Sequence, residues 1–369
     1  MAATALRHIA SLDGIRAAAA MLVFSSHAFG SAPMPGGLGV TVFFFLSGFL
    51  ITTLLRRERE ACGSVSLRRF YLRRACRIFP PMYFMLIAML LFAMVMHEMG
   101  EVETIAVLAQ FLHLTNYYIV VTGSDAGLAP HTSVLWSLAV EEHFYLVFPM
   151  LFLFLSARMP LRRVAATLGG MCVLVLMWRI ALALNHAVAS DYLFYSTDTR
   201  LDSLLFGCIM GVWCNPVLDA PAAIASAPPY GAQALLLLAV ALLLGTLLYR
   251  APFFQKSLRY SLQGIALFPM FWLAIRYPGW CMFRWLNWKP VRWLGSVSYS
   301  FYLAHPFWLH VAAGLVGDLA HGFAAALLGF LLTAVFSALL YRQLERPFLQ
   351  LGHSLGGAAA PPVLKKEAT

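Results

Sequence analysis

The chain has 369 residues, of which 61% are hydrophobic and only 11% charged, and its mean hydropathy is +0.77. Soluble domains carry about 25% charged residues, so an ordinary soluble fold is excluded. The net charge of +10 would suit a nucleic-acid binder, but the basic residues sit in loops between apolar runs, a pattern of membrane orientation rather than phosphate-backbone recognition.

Apolar segments able to cross a bilayer recur along the whole length. In chain order they fall near 12–30, 37–55, 78–97, 103–121, 134–157, 164–184, 199–215, 231–249, 258–276, 293–316 and 322–344. The first carries Asp13, Arg16 and His27. At 100° per residue, the step from Arg16 to His27 closes to within about 20° of whole turns. The two therefore share one helix face, roughly 16 Å apart along the axis, with Asp13 near the same stripe. Ionisable residues inside a membrane helix are costly and mark function by default. The same charges argue against a cleavable signal here, and no small-residue cleavage site stands out.

The second segment ends in a loop holding Arg56, Arg57, Arg59, Arg68, Arg69, Arg73, Arg74 and Arg77, which places that loop in the cytoplasm. Segment 103–121 then decides the count. If it is re-entrant or lies at the outer surface, the loop with Arg158, Arg162 and Arg163 returns to the cytoplasm. The same choice brings Arg276, Arg284, Lys289 and Arg292 inside, with Lys365 and Lys366 of the tail. Only Arg250, Lys256 and Arg259 remain in an outer loop. The expectation is an all-α integral membrane protein, multi-pass, with both termini cytoplasmic. It has about ten transmembrane helices and one additional re-entrant or interfacial helix. Residues 1–352 form the membrane domain and 353–369 a disordered cytoplasmic tail. The Pro/Ala-rich stretch 216–230 reads as a flexible connector.

This topology assigns depth. Asp13 and Arg16 lie near the cytoplasmic edge and His27 near the outer leaflet. The helix at 134–157 runs inward and carries Glu141 and Glu142 in its outer third, at a depth similar to His27. A carboxylate that holds one imidazole nitrogen raises the basicity of the other and stabilises the imidazolium. His27 is therefore the candidate general base, oriented by Glu141 or Glu142. Neighbours on a helix point about 100° apart, so at most one of the two should face it.

Several stretches resemble a known family. They are "SLDGIRAAAAMLVFSSHAFG" at the start, "GGLGVTVFFFLSGFLITTLL" at 36–55 and "RRFYLRRACRIFPPMYF" at 68–84. Further on come "LWSLAVEEHFYLVFP" at 135–149, "DTRLDSLLFGCIMG" at 198–211, "LGSVSYSFYLAHPF" at 294–307 and "ERPF" at 345–348. In this order they resemble the membrane-bound acyltransferase family 3. The resemblance implies transfer of an acyl group, often acetyl, from a cytoplasmic coenzyme A thioester to a hydroxyl. The acceptor in such a family is a glycan, a lipid-linked sugar or a small molecule. Some members carry an esterase-like domain after the helices, and the short tail here reads as the membrane module alone.

Acetyl-CoA or another acyl-CoA is thus the expected donor, with no metal. Coenzyme A is rich in phosphate, which guanidinium groups bind bidentately. Arg73, Arg74 and Arg77 enter the third segment, and Arg74 and Arg77 share a helix face. Both match the family's arginine pair. Arg16 joins them as a donor-site candidate. Asp13 and Arg16 read equally well as a pair shaping the donor's route or as a pair stabilising the first helix. Candidates for substrate contact are Asp13, Tyr145, Arg200, Asp202, Tyr302 and His305. Arg200 and Asp202 open a segment at the outer face, where they would meet acceptor hydroxyls or simply charge a helix start. His305 precedes Pro306, so a structural role at the proline kink competes with a chemical one. Ser47 reads as part of a close-packing Ser-Gly step rather than a nucleophile. The six cysteines lack metal-site spacing and read as small core residues.

The expected partners are membrane lipids and a hydroxyl acceptor, not nucleic acid. A sugar of a surface polysaccharide or lipopolysaccharide in a bacterial inner membrane is the first reading of the acceptor. A macrolide or other small secreted metabolite is the second. The rival function class is a proton-coupled transporter, disfavoured because the halves show no internal symmetry.

Overall fold

A computed structural model describes residues 9–30, 34–185, 189–219, 227–316 and 322–355. Every regular element in it is helical. In chain order these are α1 (Ala10–Ala28), α2 (Gly36–Cys62), α3 (Leu67–Val95), α4 (Thr104–Phe111), α5 (Thr115–Thr122), α6 (Leu135–Arg158), α7 (Leu161–Leu184) and α8 (Ser190–Tyr195). They continue as α9 (Thr197–Val212), α10 (Tyr230–Leu248), α11 (Pro252–Lys256), α12 (Leu258–Arg276), α13 (Lys289–Ser296), α14 (Ser298–Val316), α15 (Phe323–Leu340) and α16 (Arg346–Leu355). One π turn, Tyr341–Glu345, joins the last two.

Among the described residues seven helical stretches are long and apolar enough to cross a membrane: α2, α3, α6, α7, α10, α12 and the continuous run from α15 into α16. Three helices that the sequence reads as crossings fall short of that measure. α9 has 16 residues. In α1 and α14, of 19 residues each, the polar groups that suggest chemistry dilute the apolar character. Segment 103–121 is not one helix. It breaks into α4 and α5 at Leu112–Leu114, where His113 adopts a positive φ of 56°, so neither half is long enough to span.

The bundle is built around α2 and α9. Burial reaches 78% over the apolar stretch of α2 but only 17% over those of α7 and α10, which therefore face outward. In lipid the packing of helices relies on small residues that let backbones approach. Gly48 on α2 and Gly207 on α9 do this reciprocally. A Cβ on Gly48 would sit 2.0 Å from the Leu204 carbonyl oxygen, and one on Gly207 would sit 1.9 Å from that of Phe45. The Ser47-Gly48 step thus serves close packing, as its sequence suggests. α1 packs on α2, α13 and α14, which brings its polar stripe against α14.

The six cysteines are all unpaired. The end of the membrane domain expected at residue 352 falls inside α16, which continues to Leu355; residues 356–369 of the expected tail lie outside the described residues, as do 220–226 of the connector. The connector's first part is ordered by its own chemistry. Arg56 at the end of α2 binds Asp219 through Nη1 at 2.8 Å and also through Nη2.

Candidate active site

A cavity of about 320 Å³ opens between α1, α2, α3, α6 and α14. The arginines expected in a loop lie instead on the facing ends of α2 and α3; at that end the cavity is lined by Asp13, Arg16, Arg74 and Arg77, and further in come Ser47, Glu141, Glu142 and Tyr145, then Ser137 and Tyr302. Helical spacing explains the α6 wall. Ser137, Glu141 and Tyr145 lie four residues apart and so form one stripe. This spacing was available in the sequence, yet only Glu141 and Tyr145 stood out there.

Several of these polar groups are held by one another. Asp13 Oδ1 accepts from Arg16 Nη1 at 2.7 Å, so the pair suspected from its i, i+3 spacing forms. Glu141 accepts from Ser47 Oγ at 2.9 Å and from Tyr145 Oη at 2.6 Å. The ring of Tyr145 lies under Arg74, 4.3 Å from the guanidinium carbon. Ser137 Oγ and Tyr302 Oη share a hydrogen bond of 2.7 Å at the far end. Glu142 has a buried oxygen, Oε1, with no hydrogen-bond partner among the described residues. Neither Arg74 nor Arg77 enters a salt bridge among the described residues. A ligand phosphate would find both guanidiniums uncommitted.

Arg73 is different: its Nη2 pairs with Glu58 at 3.1 Å, and the residue does not line the cavity. Ser47 gains a role the sequence did not suggest, as a hydrogen-bond donor to Glu141.

His27 lies at the last turn of α1, exposed, and outside the cavity lining. Neither of the two expected glutamates, Glu141 or Glu142, hydrogen-bonds to it among the described residues. Its Nδ1 lies 2.9 Å from Nε2 of His305 on α14, and Glu141 is committed to Ser47 and Tyr145. α6 starts at the far end and reaches Glu141 only in its second turn, whereas His27 stands in the last turn of α1 at that end. His305 itself is 1% exposed and stands one turn beyond Tyr302, so the histidine pair sits just past the cavity's inner end.

Arg200 and Asp202 are both fully buried and away from the cavity. Asp202 pairs with Arg179 of α7, Nη2 to Oδ2 at 2.8 Å, with neither side chain exposed, and accepts from Ser261. Arg200 donates to Thr41 Oγ1 at 3.1 Å and stacks on Tyr260, 4.0 Å from the ring centroid. Both therefore tie helices together; buried charges require such partners. Among the described residues, no three His, Cys, Asp or Glu side chains converge as a metal site.

The sequence profile of the acyltransferase domain matches residues 9–342. The chain is 33% identical over 214 residues to a peptidoglycan O-acetyltransferase, OatA, of Listeria monocytogenes, covering 56% of this chain and 34% of that protein. It is 32% identical over 216 residues to the O-acetyltransferase OatA of Staphylococcus aureus (strain NCTC 8325 / PS 47), covering 56% and 35%. It is 30% identical over 217 residues to YrhL of Bacillus subtilis, a putative peptidoglycan O-acetyltransferase, covering 56% and 34%. The match thus spans about a third of the length of these relatives, and no solved structure matches the chain. Since the domain profile runs through nearly the whole chain and through every helix that builds the cavity, the chain belongs to the acyltransferase family 3, a family of multi-pass membrane proteins.

Proposed function

We propose that this chain is a membrane O-acetyltransferase that carries an acetyl group from cytoplasmic acetyl-CoA to a hydroxyl of a cell-surface polysaccharide on the other side of the bilayer. The observation that supports this is the axial order of the site. Uncommitted arginines, Arg74 and Arg77, stand at the end bearing the basic α2–α3 junction, and a histidine pair stands past the opposite end of the same cavity. In this reading the basic α2–α3 junction is cytoplasmic by the positive-inside rule. Counting α1, α9 and α14 with the seven apolar stretches gives ten crossings and cytoplasmic termini.

Arg74 and Arg77, with Arg16 beside them, bind the phosphates of the donor, and the acyl thioester reaches inward past Glu141 and Tyr145 towards Tyr302. His27 is the general base. A hydroxyl is a poor nucleophile until its proton is taken, and an imidazole is suited to that task near neutral pH. Glu141 shapes the donor channel through Ser47 and Tyr145 rather than orienting His27. The names of the OatA and YrhL relatives favour a peptidoglycan sugar as the acceptor within the polysaccharide class.

The test is transfer of radiolabelled acetyl from acetyl-CoA by the purified chain in lipid nanodiscs, with cell-wall glycan fragments as acceptors. His27→Ala should abolish transfer while donor binding persists. Retained transfer in that variant would overturn the base assignment. Mass spectrometry of cells with and without the chain separates glycan acceptors from small secreted metabolites.

A further inference from the structure

Proline has no N–H, so Pro306 inside α14 leaves the carbonyl of the residue four positions earlier without its helical donor. That residue is Tyr302. Within a membrane a backbone carbonyl without a partner is costly, and a nearby side chain commonly supplies the missing hydrogen bond. Here His305 does so: its Nδ1 lies 2.7 Å from the Tyr302 carbonyl oxygen.

A carbonyl oxygen can only accept. The contact therefore requires the proton of His305 to be on Nδ1. In a neutral imidazole the other nitrogen is then an acceptor, and that nitrogen, Nε2, faces His27 Nδ1 at 2.9 Å. A hydrogen bond at this distance needs a donor, so His27 must carry its own proton on Nδ1. Its Nε2 is left with a free lone pair at an exposed helix end. One missing backbone N–H thereby fixes the tautomer of His305 and, through it, reinforces that of His27, whose imidazole also hydrogen-bonds the Val23 carbonyl one turn back.

We propose that His305 is the positioning residue of the reaction: it holds His27 in the Nδ1–H tautomer, so that Nε2 is the atom that takes the acceptor's proton. This rests on the reading of His27 as general base. In the step, the acceptor O–H bond breaks and its proton moves to His27 Nε2 as the oxygen bonds to the acyl carbon of the thioester. The C–S bond then breaks, and the leaving sulfur takes that proton to depart as a thiol. Throughout, the Nδ1–H of His27 stays bonded to His305 Nε2, which stabilises the transient imidazolium. His305 does not touch the substrate.

The experiment uses the full chain in nanodiscs with 15N-labelled histidine, the His27 signals being assigned by their loss in His27→Gln. Wild type should show His27 protonated at Nδ1 and not at Nε2 near neutral pH. In His305→Phe that preference should weaken, since the Val23 carbonyl is then the one acceptor left to His27 among the described residues, with kcat lowered at least about tenfold and KM for acetyl-CoA unchanged. His305→Gln, whose amide oxygen can stand near the position of Nε2 as an acceptor, should restore both the tautomer and most of kcat. The proposal is overturned if wild-type His27 is protonated at Nε2, if His305→Phe leaves kcat unchanged, or if His305→Gln is as impaired as His305→Phe. The tautomer of wild-type His27 is read without turnover and needs no variant at 305 to fold. If His27→Ala retains transfer, the base assignment fails whatever the spectra show. If His27→Ala is inactive but the tautomer is the other one, only the role of His305 fails.

Discussion

The guanidinium of Arg74 lies over the ring of Tyr145, 4.3 Å from its centroid, and that tyrosine donates to Glu141 at 2.6 Å. An arginine stacked on an aromatic face is held in place while its N–H groups stay available for an anion. Arg77 shares the cavity, one turn along α3. Substituting Arg74 or Arg77 by Ala should weaken acetyl-CoA binding by about 1.5–3 kcal/mol each, the usual worth of a charge-assisted hydrogen bond. Calorimetry on the nanodisc protein reads this as roughly a tenfold to hundredfold rise in Kd. Arg73→Ala should have little effect on Kd, since its partner is Glu58. Equal affinities in wild type and the Arg74 and Arg77 variants would remove the donor from this cavity.

Glu141→Gln separates the channel from the base. An amide at this position keeps an oxygen for Ser47 or Tyr145 but no longer offers a carboxylate to both. The variant should raise KM for acetyl-CoA and leave the protonated nitrogen of His27 unchanged in the 15N spectrum. A change in the His27 tautomer would show that the carboxylate reaches the histidine after all, as its sequence position suggests.

Much of the plan is legible in the sequence, and the boundary of legibility has a physical origin. Periodicity reports which residues share a face of one helix. It found the Asp13–Arg16 pair and the common face of Arg74 and Arg77, and it would have found the Ser137–Glu141–Tyr145 stripe. It does not report which faces of different helices meet. His27 and His305 are 278 residues apart, and their meeting depends on α1 lying against α14 instead of α6. Depth alone matched His27 to Glu141 and Glu142, but depth is only one of three coordinates. Arg200 and Asp202 show the same limit. A charge pair at a helix start looks exposed until α7 brings Arg179 across to Asp202.

That buried pair carries its own prediction. Removing one partner strands a charge away from water, which costs roughly 3–5 kcal/mol, whereas replacing both by apolar residues can be nearly neutral. Arg179→Met or Asp202→Leu alone should sharply lower Tm in detergent. The double variant should recover a substantial part of the loss without a change in KM for the acceptor glycan. A double variant as unstable as either single one would show that Arg179 is needed for its other bonds, to the Ser257 and Thr199 carbonyls.

The approach of α2 to α9 is equally testable. At Gly207 an added methyl group meets backbone, not a flexible side chain, so the helices must separate. Overpacking of this kind typically costs about 1–3 kcal/mol. Gly207→Ala should therefore lower Tm clearly. Gly169→Ala, where nothing lies within 4 Å of the new atom, should be silent. Equal thermal stability of the two variants would contradict the tight α2–α9 seam.

The Arg56–Asp219 contact ties the connector to α2 and makes a pH-dependent prediction. Hydrogen bonds from Arg56, with a further one from the Asn215 N–H at 2.9 Å, hold the Asp219 carboxyl below its ordinary value of 3.8. A folded-state pKa that is depressed means the folded chain favours the charged carboxylate more than the unfolded chain does. The resulting stability is fully present above the ordinary value and is lost as the pH falls through the depressed one. Asp219→Asn removes the charge at every pH. It should therefore lower Tm at pH 7, and the gap from wild type should close only when the pH drops below about 3.8. Thermal melts of both proteins in detergent between neutral and acid pH measure this directly. A gap that closes between pH 5 and 7 would mean that a histidine, not Asp219, governs the joint.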